Sequence, residues 1–164
     1  MLGLDEPDRG QFGGQLRQVD FVTGCAMLVP MQVIDRVGVL DDRFFAYYEE
    51  TEWCVRIAKA GYQIIFVPKA KVWHKISPTR RAASPMVHYY MTRNRLLFLR
   101  LTRAGWRAWV HTVLLEYMPT LLNWSLRYGK VQTPLRDAMA TAILDYISGK
   151  LGKKIGLTQG LASP

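Results

Sequence analysis

The sequence predicts an α/β fold followed by a helical tail, and three observations carry that expectation. Short apolar runs of strand length alternate with a helical period as far as about residue 74, amphipathic helical spacing takes over from Pro85, and the charge changes sign between the two parts. Residues 1–74 hold 8 Lys/Arg against 10 Asp/Glu, whereas residues 75–164 hold 14 against 3. With 164 residues, 49% of them hydrophobic, the chain can bury a core of ordinary size, which excludes general disorder, a collagen-like repeat and a coiled coil. Cys25 and Cys54 are too few for a disulfide scaffold and form no C-x-x-C pair, so a reducing compartment is the simpler expectation.

The first nineteen residues, rich in Gly, Asp, Arg and Gln and without an apolar period, predict a loop. From Phe21 to Val29 the apolar run predicts a mostly buried strand interrupted at Gly24 and closed by Pro30. Residues 31–37 suit a short helix ended by Gly38, and the loop Leu40–Arg43 follows. Between Thr51 and Ala60, Trp53, Ile57 and Ala60 fall near one helical face, Glu52 and Arg56 form an i,i+4 surface pair, and Gly61 ends the helix. Ile64–Val67 predicts a buried strand stopped by Pro68, and Ala70–His74 a second extended run. After a loop over residues 75–85, Tyr89, Tyr90, Leu96 and Leu97 give the next helix an apolar side beside a basic one of Arg93 and Arg100. The stretch Trp106–Leu126 is strongly apolar but interrupted by His111, Glu116, Pro119 and Asn123, so it suits an interfacial or interhelix element better than a span, with Pro119 expected to kink it. Leu135, Met139, Ile143 and Ile147 mark a last amphipathic helix before a basic tail.

Chemistry concentrates in Phe44–Arg56, FFAYYEETEWCVR, where Glu49, Glu50 and Glu52 follow four aromatics at a loop-to-helix junction. A helix N-terminus carrying complementary negative charge accounts for the acids. A pocket lined by Phe44, Phe45, Tyr47 and Tyr48 accounts for both, because desolvation and like-charge repulsion there raise a carboxylate's proton affinity and suit it to general-base work.

Four blocks then resemble the C-terminal half of the catalytic domain of inverting GT-A glycosyltransferases, the family 2, rhamnosyltransferase-like group: Asp20–Leu28; Gly38–Arg56; Ala60–Gly61–Tyr62 through Val67–Ala70; and Val72–Trp73–His74. Tyr89–Arg95, YYMTRNR, matches the helix start that follows these blocks in the family. The resemblance implies residues 1–100 as the acceptor-binding and catalytic-base part of a GT-A (nucleotide-diphospho-sugar transferase) domain and residues 101–164 as a basic helical tail. In the family a Glu-Asp pair follows the aromatic run and the Asp is the base; here Glu49 matches the Glu, and Glu50, one methylene longer, replaces the Asp. The same resemblance places His74 near the nucleotide diphosphate and its metal, Thr23 and Gly24 at the acceptor side, and Arg93 and Asn94 against phosphate oxygens.

The first βαβ units of such a domain and the Asp-x-Asp-type motif that holds Mg²⁺ or Mn²⁺ have no counterpart, so the chain is expected to be a fragment unable to hold a nucleotide sugar alone. The expected function is transfer of a sugar, with inversion, from a nucleotide-sugar donor to a polysaccharide or lipid-linked acceptor. The basic half predicts peripheral contact with the cytoplasmic face of the cell membrane, with no nucleic acid as partner. The alternative is a non-catalytic basic module that binds a membrane surface or nucleic acid, its acidic front merely structural.

Overall fold

A computed structural model describes residues 9–11, 13–73, 84–126 and 132–154. It is a mixed helical structure with a small sheet. The elements run β1 (Arg17–Val19), α1 (Met31–Val37), α2 (Glu49–Lys59), β2 (Ile64–Phe66), α3 (Pro85–Leu101), α4 (Trp106–Val110), a π-helical stretch (His111–Tyr117), α5 (Met118–Leu126) and α6 (Gln132–Ile147). His74 and residues 75–83 of the expected loop lie outside the described residues.

β1 and β2 pair antiparallel, with Arg17 opposite Phe66 and Val19 opposite Ile64. This corrects two expectations. The end of the presumed N-terminal loop is the first strand, and Phe21–Val29 is irregular, with a turn at Gly24–Cys25. β1 pairs with β2, and the apolar run that follows joins no ladder among the described residues. Phe21, Val22, Met27 and Val29 instead pack their side chains on the core of Val33, Trp53, Cys54, Ile57 and Ile64. β2 is buried on one face only, Ile64 inward and Ile65 exposed, and residues 71–73 form no strand.

α1 begins after Pro30 and ends where Gly38, at φ +79°, donates its N–H back to the Ile34 carbonyl; a side chain there would be strained. α2 buries Trp53 and Ile57 as its spacing predicts and Cys54 beside them, while Ala60, expected on the same face, is partly buried just past the helix end. Glu52 and Arg56 do not form a surface pair: Glu52 is buried, accepts from Arg56 Nε at 2.8 Å, and holds that guanidinium where it also donates to the Val37 and Val39 carbonyls. With the Trp53 indole N–H on the Gly38 carbonyl at 2.8 Å, this fastens the end of α1 to α2.

α3 starts at Pro85, with Ser84 as its N-cap. It is the spine of the second half, packing along α6 through Tyr89, Tyr90, Ala138 and Ala142 and meeting the 106–126 helical run through Leu96, Tyr117 and Met139. The expected basic side of α3 is not a solvated one, because Arg93 is almost wholly buried. The helical run does not break at Pro119. It widens just before it, and the Met118 N–H reaches the Val113 carbonyl five residues back, which relieves the crowding a proline ring imposes on the preceding turn.

Candidate active site

The aromatic loop before α2 is folded tightly against its preferences. Asp41 fixes its start by accepting from the Arg43 side chain and backbone N–H, and the guanidinium holds that carboxyl below the usual range. Phe45, Tyr47 and Tyr48 then adopt left-handed φ values of 64°, 68° and 73°. For side chains of this size such backbone costs roughly 1–3 kcal/mol per residue, so surrounding contacts must determine it.

Arg93 and Asn94 supply those contacts. Asn94 Nδ2 donates to the Phe44, Ala46 and Tyr47 carbonyls at 2.8, 2.6 and 2.8 Å. Arg93 donates to the Arg43 and Phe44 carbonyls at 3.1 and 3.0 Å and to Gly152 at 2.7 Å, with its plane over Tyr89 and Tyr90. This replaces the expectation that the pair meets phosphate: both side chains are buried and their donors face loop carbonyls. The carbonyls of a turn with three left-handed residues cannot enter a ladder, and an amide beside a guanidinium satisfies several at once.

The same loop reaches the C-terminal segment. Gly152 N–H donates to the Arg43 carbonyl at 2.7 Å, Lys154 N–H to the Tyr90 hydroxyl at 2.9 Å, and the Lys154 ammonium pairs with Asp145. Asp145 also accepts from the Tyr89 hydroxyl at 2.8 Å. Burial pushes the Tyr89 hydroxyl up to about 12, and its bond to Asp145 adds to the rise. Sequence reasoning missed these residues, because a Gly and a Lys in a basic tail carry no local signal of what they touch.

Beyond Tyr48 the chain enters α2, and Glu49 and Glu50 stand in its first turn. Each has a buried Oε2 without a hydrogen-bond partner among the described residues. Burial raises the Glu49 carboxyl above the usual range; its own backbone N–H opposes this, and the Glu50 charge reinforces it. Glu50 lies against Gly24: a Cβ built on Gly24 would meet Glu50 Cβ at 3.5 Å and Cδ at 3.8 Å. Thr23 is exposed beside it, its hydroxyl 3.1 Å from Cys25 Sγ. Cys54, fully buried, is pushed up by burial, with the Glu50 charge adding to the rise. Gly24, Glu49 and Glu50 are thus brought together, whereas Glu52 is spent on Arg56 and Arg93 and Asn94 lie beneath the loop as its support.

Two adjacent carboxylates with unpaired oxygens offer hard ligands, but among the described residues no three metal-ligating side chains meet. These residues by themselves do not form a site that fits Mg²⁺ or Mn²⁺.

Comparison with characterised proteins bears on this acidic turn. The chain is 28% identical over 133 residues to a dTDP-rhamnosyl transferase of Shigella flexneri, covering 76% of this chain and 44% of that protein. It is 32% identical over 92 residues to an N-acetylglucosaminyl-diphospho-decaprenol L-rhamnosyltransferase of Mycobacterium tuberculosis, covering 55% and 29% respectively. The chain is a relative of glycosyltransferases. A hexosyltransferase of low-salt glycan biosynthesis in Haloferax volcanii is 33% identical over 84 residues, 50% of this chain and 27% of that protein. The glycosyltransferase resemblance, of the family 2 kind, therefore extends over part of the chain, and the chain spans less than half the length of these relatives. No family model matches the chain, and no solved structure does.

Proposed function

We propose that this chain is the acceptor-binding and catalytic-base part of an inverting GT-A glycosyltransferase that takes a sugar from a nucleotide-sugar donor. The acceptor is a polysaccharide or a lipid-linked sugar, and the relatives' names favour dTDP-rhamnose as donor. One observation carries the reading: Glu50 stands partly buried in the first turn of α2, its Oε2 buried and without a hydrogen-bond partner among the described residues, behind a strained aromatic loop and against the glycine of the Gly24–Cys25 turn. That oxygen has no partner among the described residues to give up before accepting a proton. Thr23 is exposed just before that turn, and Gly24 lets the Glu50 side chain pack closely on its backbone.

In this reading the acceptor hydroxyl gives its proton to Glu50 as its oxygen bonds to the anomeric carbon. The bond from that carbon to the nucleoside diphosphate breaks on the opposite face, and one displacement inverts the anomer. Beside Glu50, burial raises the proton affinity of Glu49, and the Glu50 charge adds to the rise. In the whole protein Mg²⁺ or Mn²⁺ would neutralise charge on the departing diphosphate, with His74 as a candidate ligand. Peripheral attachment to the cytoplasmic face of a membrane belongs to the proposal as well, since lipid-linked acceptors reside there.

Glu50→Gln, made in the longest protein that carries this chain, tests the assignment. Turnover should fall by about 10² to 10⁴ with donor binding retained, because only proton abstraction is removed. Near-normal turnover would move the role to Glu49, since Glu52 is held by Arg56.

A further inference from the structure

Along the helical run from Trp106 to Leu126, exposure repeats every four residues. Trp106, Val110, Leu114, Met118, Leu122 and Leu126 are all exposed, as are their neighbours Arg107, His111, Leu115, Pro119 and Asn123. The positions between them, Trp109, Val113, Tyr117, Leu121 and Trp124, turn inward onto Leu96, Met139 and Ile143. A step of four residues overshoots an α-helical turn by about 40°, so in a regular helix such a stripe would wind halfway round over this length. The middle of the run, His111–Tyr117, is π-helical, and there the same step falls short of a turn, which offsets part of the drift and keeps the stripe from winding round the helix.

The outcome is a helix apolar on two opposite sides, of which the described residues cover only one. Leu115 is 65%, Leu122 57% and Leu126 81% exposed, which is unusual for adjacent leucines on one face. The charges around the stripe have one sign. Between Leu101 and Arg136 the only acid is Glu116, and Arg95 and His111 both pair with it. Arg103 and Arg107 are exposed at the start of the stripe, with Arg107 against the Trp106 ring, and Arg127 and Lys130 follow its end in the sequence. Among the described residues no helix is long and apolar enough to cross a membrane.

We infer that this stripe is the surface by which the protein lies on an anionic lipid bilayer, its axis in the plane of the headgroups, and that the π-helical stretch exists to keep the stripe straight. Leucines enter the acyl boundary, Trp106 sits at headgroup depth, and the flanking cations meet lipid phosphate. The inference rests on the membrane part of the proposed function and is independent of sugar transfer.

Co-sedimentation of the chain with vesicles of phosphatidylcholine, alone or containing phosphatidylglycerol, tests it. The parent should bind the anionic vesicles about 30-fold more tightly, with the difference shrinking as salt is raised. The double substitution Leu114→Glu/Leu122→Glu should lower that binding at least about tenfold without changing Tm or circular dichroism, because both positions are exposed. Leu16→Glu, an exposed apolar site off the stripe, should bind like the parent. Equal binding by parent and double variant, or no vesicle binding by the parent, would overturn the assignment. So would a dimer in sedimentation velocity that the double substitution abolishes, since the occupant would then be a second copy. A protein that binds vesicles through the stripe but transfers no sugar would leave this surface standing and strike only the enzymatic reading.

Discussion

Glu49 shows how burial at a single residue becomes a statement about stability. Its folded carboxyl holds a proton to higher pH than it would in the unfolded chain. The folded state therefore binds more protons as pH rises through the carboxylate range, and stability is lost over that interval. Glu49→Gln should melt higher than the parent at pH 7, with the gap closing toward pH 4; thermal melts across that range check it, and a gap of the opposite sign would contradict the burial. Asn94 is the complementary case, a neutral side chain whose removal orphans carbonyls. Asn94→Leu should cost about 2–3 kcal/mol, because the Ala46 and Tyr47 carbonyls would lose their donor or be forced to move, while Arg93 still serves Phe44. If Asn94 only fills space, urea unfolding will show a change well under 1 kcal/mol.

At the scale of elements, the aromatic loop, α3 and the C-terminal segment act as one piece. The loop's left-handed residues store strain, α3 supplies the donors that hold it, and Gly152 and Lys154 close the far side. Asp145 ties the last two together. Burial alone would raise its carboxyl, but the bonds from Lys154 and Tyr89 outweigh it and leave it below the usual range. A depressed carboxyl contributes stability above its unfolded pKa and loses it as pH falls through the folded one. Asp145→Asn should lower Tm at pH 7, by about 2–6 °C, and the difference should shrink as pH falls through and below the ordinary carboxylate range. Because the segment touches the loop that leads into α2 and its candidate base, the same substitution should lower turnover with little change in KM for donor. A turnover equal to that of the parent would mean that the loop keeps its shape without the tail.

Over the whole molecule, the division of charge matches a division of labour. The acidic front half carries the candidate base on α2, and the basic rear half supplies the spine, the clamp and the exposed stripe. What the described residues do not bring together is a set of metal ligands. Calorimetry of residues 1–164 with dTDP-sugars and Mn²⁺ should accordingly show no metal-dependent heat. A micromolar, Mn²⁺-dependent signal would mean that this chain holds the donor without the remainder of its relatives' length.

The sequence by itself determined the elements whose signals are local. Gly38 as a left-handed cap, Ser84–Pro85 as a helix start, the apolar face of α2 and the acidic turn behind four aromatics could all be read from neighbours in the chain. Only the tertiary structure decided what depends on distant partners. Residues 17–19 became a strand because β2 offered them an edge, and the more apolar Phe21–Val29 run did not, because its side chains were needed on the α2 core. Arg93 and Asn94 looked like phosphate ligands since a guanidinium and an amide suit a phosphate and a backbone carbonyl alike; which of them they meet is set by a loop some 50 residues away. Glu52 looked like half of a solvated pair, and became a buried clamp once the end of α1 was laid against it. A local pattern states which groups a residue can satisfy, and packing chooses among them, since a buried donor or acceptor must take whichever partner the fold places within reach.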